Sequence, residues 1–284
     1  MKIREFLTMR RPRLYTLPII LLLTTLLHVL CPTPQAVASD LVIGTGPDSR
    51  QMILSELAAL LLEQEGITVT IRPGLIETEL LSLLRNNEVN LCFLPLQTNR
   101  PAETQPPGIV PLPPFPFDAG PVLLMRGKQA TELQIQTISQ LVEQSKYNPL
   151  LFRFGDMDSV SARQLAGYGL PLSSANPLPS ALLYNVLKNS QVDVALGQAD
   201  DGRIIAFRLL PLEDDRNLLP DLRPTPLTSE AALRQYPAIT ATIAKLTARL
   251  DIETMRRLHG SVVIAHRQPR AVAQEWLHGQ DLLR

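Results

Sequence analysis

Cysteine, tryptophan and histidine are scarce in this 284-residue chain, which holds 2 Cys, 1 Trp and 4 His, with aromatic residues at 5%. The two cysteines, Cys31 and Cys92, permit at most one disulfide, which excludes a crosslinked small scaffold and leaves stability to a buried core. Neither sign of charge is in excess, since 27 Lys and Arg stand against 27 Asp and Glu. A polybasic nucleic-acid binder is therefore excluded. What is present is a globular composition, 45% hydrophobic and 19% charged, which rules out a disordered or collagen-like chain. At roughly 100 to 200 residues per domain the length fits one large or two modest domains.

The charge balance hides an asymmetry. Lys2, Arg4, Arg10, Arg11 and Arg13 precede an apolar run from Leu17 to Leu30, followed by Ala36, Val37 and Ala38. A basic start, an apolar middle and an Ala-x-Ala exit is the order of a secretory signal. Residues 1–38 are read as a signal peptide, cleaved or kept as an N-terminal anchor. As an anchor the run is short and holds Pro18 and His28. Lipidation of Cys31 ranks last, because Leu30 stands where a small residue belongs. Removal of residues 1–38 leaves 22 basic and 26 acidic side chains, a formal charge of −4, and Cys92 as the one cysteine. The exported body is then periplasmic or extracytoplasmic, and no later segment has the length and apolarity of a membrane span.

Beyond Ser39 the pattern alternates. A strand at Leu41 to Gly44 runs through Asp48 into a helix with apolar positions at Ile53, Leu57, Leu60 and Leu61, and Asp48 with Gln51 reads as an N-cap and capping box. Strands at Thr68–Ile71 and Val89–Leu94 flank a helix at 77–85, giving a parallel doubly wound unit with its ligand crevice at the carboxyl ends of the strands. Nine prolines between Pro95 and Pro121 predict an extended crossing without helix or central strand. The alternation then resumes with strands at Val122–Met125, Leu150–Phe154, Val192–Leu196 and Phe207–Leu212, helices at 138–144 and 180–188, and helices at 229–236, 238–250, 253–258 and 269–278. This predicts two α/β lobes with a cleft between them, assigned as 39–118 and 213–284 for the first lobe and 119–212 for the second. Such a cleft suits a small solute.

Few residues carry chemistry. The segment Gly44 to Ser49 opens a helix after a strand, but Ser49 replaces the third Gly of a dinucleotide loop and no phosphate-binding Lys follows. Free amides at that helix start, with the Asp48 and Ser49 side chains, serve either a polar ligand or a simple cap. Thr78 holds the same kind of position at the next helix. Asp200 and Asp201 lie beyond a strand's carboxyl end, where a turn with Arg203 as ion-pair partner is preferred to a ligand contact. Glu213, Asp214 and Asp215 are consecutive and lack calcium-loop spacing, so a solvated face is expected. His259, His266 and His278 do not match zinc spacing, and Cys92 sits inside an apolar strand. No enzyme, cofactor or metal is expected.

Several motifs in order resemble the substrate-binding proteins of ABC importers for glycine betaine, choline, carnitine and related osmoprotectants. LVIGTGPDSRQMILSELAALLLE is similar to that family's IGSKNFTEQ opening; Asp201, Gly202, Arg203 and Ile204, then Leu212 to Asp215, are similar to its DGRI and LEDD pattern; and Asp251, Glu253, Thr254 and Met255 fit D-x-E-T-M. The resemblance implies a two-lobed periplasmic-binding-protein fold, type II-like, with a doubly wound mixed sheet in each lobe. It also implies a small-molecule solute and delivery to a membrane permease with its ATPase; the mature charge and the lack of a coiled-coil pattern make a monomer that does not bind nucleic acid the default. The family cages quaternary ammonium groups in aromatic rings. Where the family carries tyrosines this chain has Cys92, Phe93 and Pro95, then Pro121, then Gln198. Loss of three rings at roughly 0.5 to 2 kcal/mol each points away from tight betaine binding, toward a polar or differently shaped solute. The expected ligand-binding set is Asp48, Ser49, Thr78, Phe93, Asp118, Gln198 and Asp201. A sensor or scaffold of the same fold is the alternative, and an enzyme using Asp200 and Asp201 the remote one.

Overall fold

The computed structural model describes residues 40–97, 107–147, 159–170 and 179–283. The expected signal segment and the strand expected at Leu150–Phe154 lie outside them.

The first sheet has the order β2-β1-β3-β8-β4. Its parallel half is β1 (Leu41–Gly44) between β2 (Val69–Arg72) and β3 (Leu91–Gln97), and its antiparallel half adds β8 (Leu222–Thr228) and the short β4 (Val110–Pro111). The second sheet, β6 (Val194–Gln198), β5 (Pro121–Arg126), β7 (Leu209–Pro211), is antiparallel in its described strands.

Between β1 and β2 runs α1 (Ser49–Gln64), with nine buried residues from Ile53 to Leu62. The unbroken apolar run Leu57 to Leu62 goes beyond a single stripe because the helix is covered twice. The sheet lies on one side; α9 (Ala238–Thr247), α10 (Ile252–Val263) and α11 (Pro269–Gly279) lie on the other. On the other face of the sheet Gly44 makes room for a second helix, since a Cβ there would meet Leu80 Cδ2 at 2.6 Å. Leu80 belongs to α2 (Glu77–Arg85), which packs on the opposite face. The second lobe buries Leu123, Met125, Ile138, Leu165, Tyr168 and Val194 in its own cluster. Its helices are α3 (Gly127–Leu133), α4 (Ile138–Ser145), α5 (Ser159–Gly167) and α6 (Ser180–Lys188), and its β6–β7 link carries α7 (Arg203–Ala206). Strand β8 returns the chain to the first lobe, where helix α8 (Glu230–Gln235) follows it. The clusters all fall within Asp40–Arg284, one compact unit. No helix among the described residues is long and apolar enough to cross a membrane.

Two expectations are corrected here. Pro-rich sequence does form strand: β3 continues through Pro95, and β8 carries Pro224 and Pro226 while pairing with β3 over seven positions. The carbonyls of Leu222, Pro224 and Pro226 accept from the amides of Ala119 (2.6 Å), Phe115 (2.9 Å) and Leu112 (2.9 Å). In an antiparallel strand a residue's N–H and C=O point to the same side. The prolines at alternate positions therefore place their missing donors on that outer edge, where the facing segment supplies backbone amides to the Leu222, Pro224 and Pro226 carbonyls. The acidic stretch after Leu212 also does more than face solvent. Asp214 is half-buried, bonded to Tyr168 and accepting from Leu219 N at 2.6 Å, and Asp215 accepts from Ser139 N. Leu218 and Leu219 pack on the second lobe's cluster, so residues 213–219 lie with that lobe.

Candidate functional site

The carboxyl ends of β1, β3 and β6 meet at a cavity of about 220 Å³. The first lobe lines it with Asp48, Arg50, Gln51 and Leu54 at the start of α1, Phe93 to Pro95 of β3, and Leu222 and Pro224 of β8. The second lobe contributes Gln198 and Asp200, and the crossing contributes Ala119. A larger hollow of about 870 Å³ near Thr131, Gln140 and Glu213 is bounded by the second lobe alone. Of the two, the first is the one lined by both lobes.

Asp48 is the N-cap of α1, accepting from Arg50 N at 2.8 Å. Gln51 does not close a capping box; its Oε1 accepts from Gly46 N at 2.9 Å. The Arg50 side chain turns back, Nε lying 3.0 Å from both Asp48 oxygens and Nη2 bonding the same carboxylate. Its Nη1 crosses to the other lobe and donates to Asp200 Oδ1 at 2.5 Å. Burial alone would push Asp48 up, but the hydrogen bonds and charge of Arg50 hold its carboxyl below the usual value. For Asp200, burial outweighs Arg50, and the neighbouring charge of Asp48 adds to the rise. Burial disfavours the charged Arg50, yet Asp200 and Asp48 leave it firmly protonated.

Behind this trio the lobes are stitched by α10. His259, 3% exposed, accepts from Gly202 N at Nδ1 (2.9 Å), so its proton sits on Nε2 and is directed at Ser49 Oγ (2.9 Å). Arg256 Nε donates to Ala199 O at 2.8 Å. Gly202 is required for this approach, since a Cβ there would stand 2.1 Å from Gly260 N. Asp201 pairs with Arg203 through Nη1 and the backbone amide, both at 2.8 Å, and lies 3.5 Å from His259 Nδ1. Burial opposes its charge, but the charge and backbone amide of Arg203 hold its carboxyl low. Arg203 also stacks 5.2 Å from the buried Tyr184 ring, whose hydroxyl accepts from Gln198 N.

Of the residues expected from the sequence, the structure brings Asp48, Phe93 and Gln198 to the cavity. Ser49 is taken by His259, and Asp201 by Arg203, as the turn reading expects. Thr78 is exposed as the second residue of α2. Asp118 ties the crossing, its Oδ1 accepting from Gly120 N (2.7 Å) and Leu222 N (2.9 Å). Phe93 is the one ring lining the cavity among the described residues, and it packs on Phe115 at 6.2 Å, itself against Phe117 at 5.8 Å. Sequence reasoning missed Arg50. A cation in the first turn opposes the helix dipole and demands carboxylates nearby, which is a legible signal.

A family model described as the substrate binding domain of ABC-type glycine betaine transport system matches residues 39–279. A carnitine transport binding protein of Listeria monocytogenes is 34% identical over 110 residues, 39% of this chain and 36% of its own length. That match spans about a third of the relative's length. A glycine-betaine-binding protein of Pseudomonas aeruginosa is 26% identical over 281 residues, covering 87% of this chain and 90% of its own. Among solved structures, a glycine betaine/carnitine/choline ABC transporter protein superposes with a TM-score of 0.74 at 25% identity, over 86% of this chain and 99% of its own. The two-lobed architecture, the interlobe site and a family match spanning nearly all of Asp40–Arg284 agree, and the chain belongs to the family of substrate-binding domains of ABC-type glycine betaine transport systems.

Proposed function

We propose that this protein is the solute receptor of an ABC importer. It captures a small solute between its lobes and presents the closed form to a membrane permease coupled to an ATPase. The observation that carries this reading is the cavity built from charged groups of both lobes, Asp48 and Arg50 on one side and Asp200 on the other. A solute that bonds both sides binds the closed form better than the open one, and that difference drives closure. Residues 1–38 direct export, cleaved or retained as a tether, and the receptor works outside the cytoplasm as a monomer. Asp48, Phe93 and Gln198 contact the solute directly, while Ser49 and Asp201 support the wall behind it and Asp118 the crossing; Thr78 belongs to the rim. With one ring at the cavity, a solute other than a quaternary amine fits best.

Calorimetric titration of residues 40–284, refolded to strip carried-over ligand, tests this against glycine betaine, choline, carnitine, ectoine and a panel of amino acids and amines. Small-angle scattering on each binder reads closure. Binding with a smaller radius of gyration supports the receptor reading; no binding and no closure across the whole panel rejects it.

A further inference from the structure

The charges at the cavity do not balance. Two carboxylates, Asp48 and Asp200, share one guanidinium. Arg50 is committed to Asp48: its backbone amide, Nε and Nη2 all bond that one carboxylate, within one turn of the same helix. Among the described residues Asp200 receives only Nη1, from across the cleft. Its side chain is 4% exposed, so water does little to solvate it, and burial pushes its carboxyl up despite Arg50. The other basic side chains of the seam are engaged elsewhere, His259 with Gly202 N and Ser49 Oγ. Arg203 is paired with Asp201, and Arg256 with Glu253 and the Ala199 carbonyl.

Accepting the receptor reading above, on which this inference rests, we propose that the solute is a small organic monocation carrying N–H donors, a primary to tertiary ammonium or a guanidinium, and that Asp200 receives it. Three features select this class. A single positive charge brings the site to neutrality, whereas a zwitterion adds no net charge and leaves the site one carboxylate in excess. A buried carboxylate is satisfied by charge-assisted hydrogen bonds, which a quaternary nitrogen cannot donate. A quaternary nitrogen is instead held against ring faces, and Phe93 is the one ring lining the cavity among the described residues. Gln198, on the Asp200 side, and Gln51, on the Arg50 side, border the same space and add amide groups for further donors or acceptors.

A methylation ladder separates these causes. Ethanolamine, N-methylethanolamine, N,N-dimethylethanolamine and choline carry the same charge while losing one N–H at each step. Glycine, sarcosine, dimethylglycine and glycine betaine repeat the steps with a carboxylate in place of the hydroxymethyl group. Methylguanidine extends the test to the other cation type. Titration of the intact protein is expected to show affinity falling along the first ladder, by about tenfold or more between the tertiary amine and choline. Each member of the second ladder is expected to bind about tenfold or more weakly than its counterpart. Asp200→Asn is expected to weaken the best amine by about tenfold or more, with circular dichroism and thermal unfolding verifying its fold. Should that variant not fold, the ladder on the wild-type protein decides alone. Affinity that rises toward choline, or a second ladder that outbinds the first, overturns the inference. So does closure around another solute while no amine and no guanidine binds; in all these cases the receptor reading survives. Absence of any binding or closure rejects the receptor reading, and the inference with it.

Discussion

Replacing Arg50 with Met keeps the stem of the side chain but strips the cleft of its cation, leaving Asp48 and Asp200 facing each other. Arg50 is 19% exposed and Asp200 4%, while Asp48 at 34% is wetter. Removing one partner of a buried pair costs about 3 to 5 kcal/mol; discounting the screened Asp48 side leaves roughly 2 to 4 kcal/mol at neutral pH. At about 2 to 4 °C per kcal/mol for a chain of this size, Tm falls by roughly 4 to 16 °C. The loss depends on pH with a definite sign. In the wild type the Asp48 carboxyl is depressed, burial being outweighed by Arg50. Its contribution is therefore present above the unfolded carboxyl value of about 3.9 and lost as pH falls through the folded one. Without Arg50, burial and mutual repulsion raise both carboxyls, and a raised carboxyl contributes stability below about pH 3.9 that disappears as pH rises. The gap between the two proteins is thus widest near neutrality and narrows toward about pH 4. Urea unfolding followed by circular dichroism across that range measures it, and Arg50→Met/Asp200→Asn recovers part of the deficit. A deficit below about 0.5 kcal/mol at neutral pH, or one that does not change with pH, refutes the account of Arg50 as the site's interlobe cation.

Three further outcomes are expected. Gly202→Ala lowers stability by about 2 kcal/mol or more, because the new methyl meets Gly260 N at 2.1 Å and Arg256 O at 2.4 Å, and both are backbone atoms. Gly279→Ala, with nothing within 4 Å, serves as the thermal-unfolding control and holds or gains. Phe93→Ala costs about 3 to 5 kcal/mol in chemical unfolding, since the ring is 2% exposed and anchors the Phe115 and Phe117 stack. Burial, with the charge of Glu77, pushes the Cys92 thiol up to about 12; in residues 40–284 a disulfide reagent at mildly alkaline pH labels it only after denaturant is added.

Much of this protein is written locally. The strand to Gly44, the Asp48 cap and the apolar run to Leu62 specify β1 and α1 through short-range periodicity and capping, and with them the place of the crevice. The turn of Asp201 with Arg203 is likewise a matter of neighbours, two residues apart. The scarcity of aromatic residues, 5% of the chain, was legible because it rests on residue identity, and Phe93 is the one aromatic ring lining the cavity among the described residues. Tertiary structure decided the rest, where partners are distant in sequence. Arg50 reaches Asp200 across 150 positions, and Ser49 meets His259 across 210. No local window holds both members of such a pair. Proline, a breaker by its own chemistry, becomes a strand residue in β8 only because the chain from Leu112 to Ala119 lies along the edge where donors are missing. Propensity describes what a residue does to its own backbone, whereas the cleft, its surplus carboxylate and the seam at Gly202 depend on which surfaces the fold presses together.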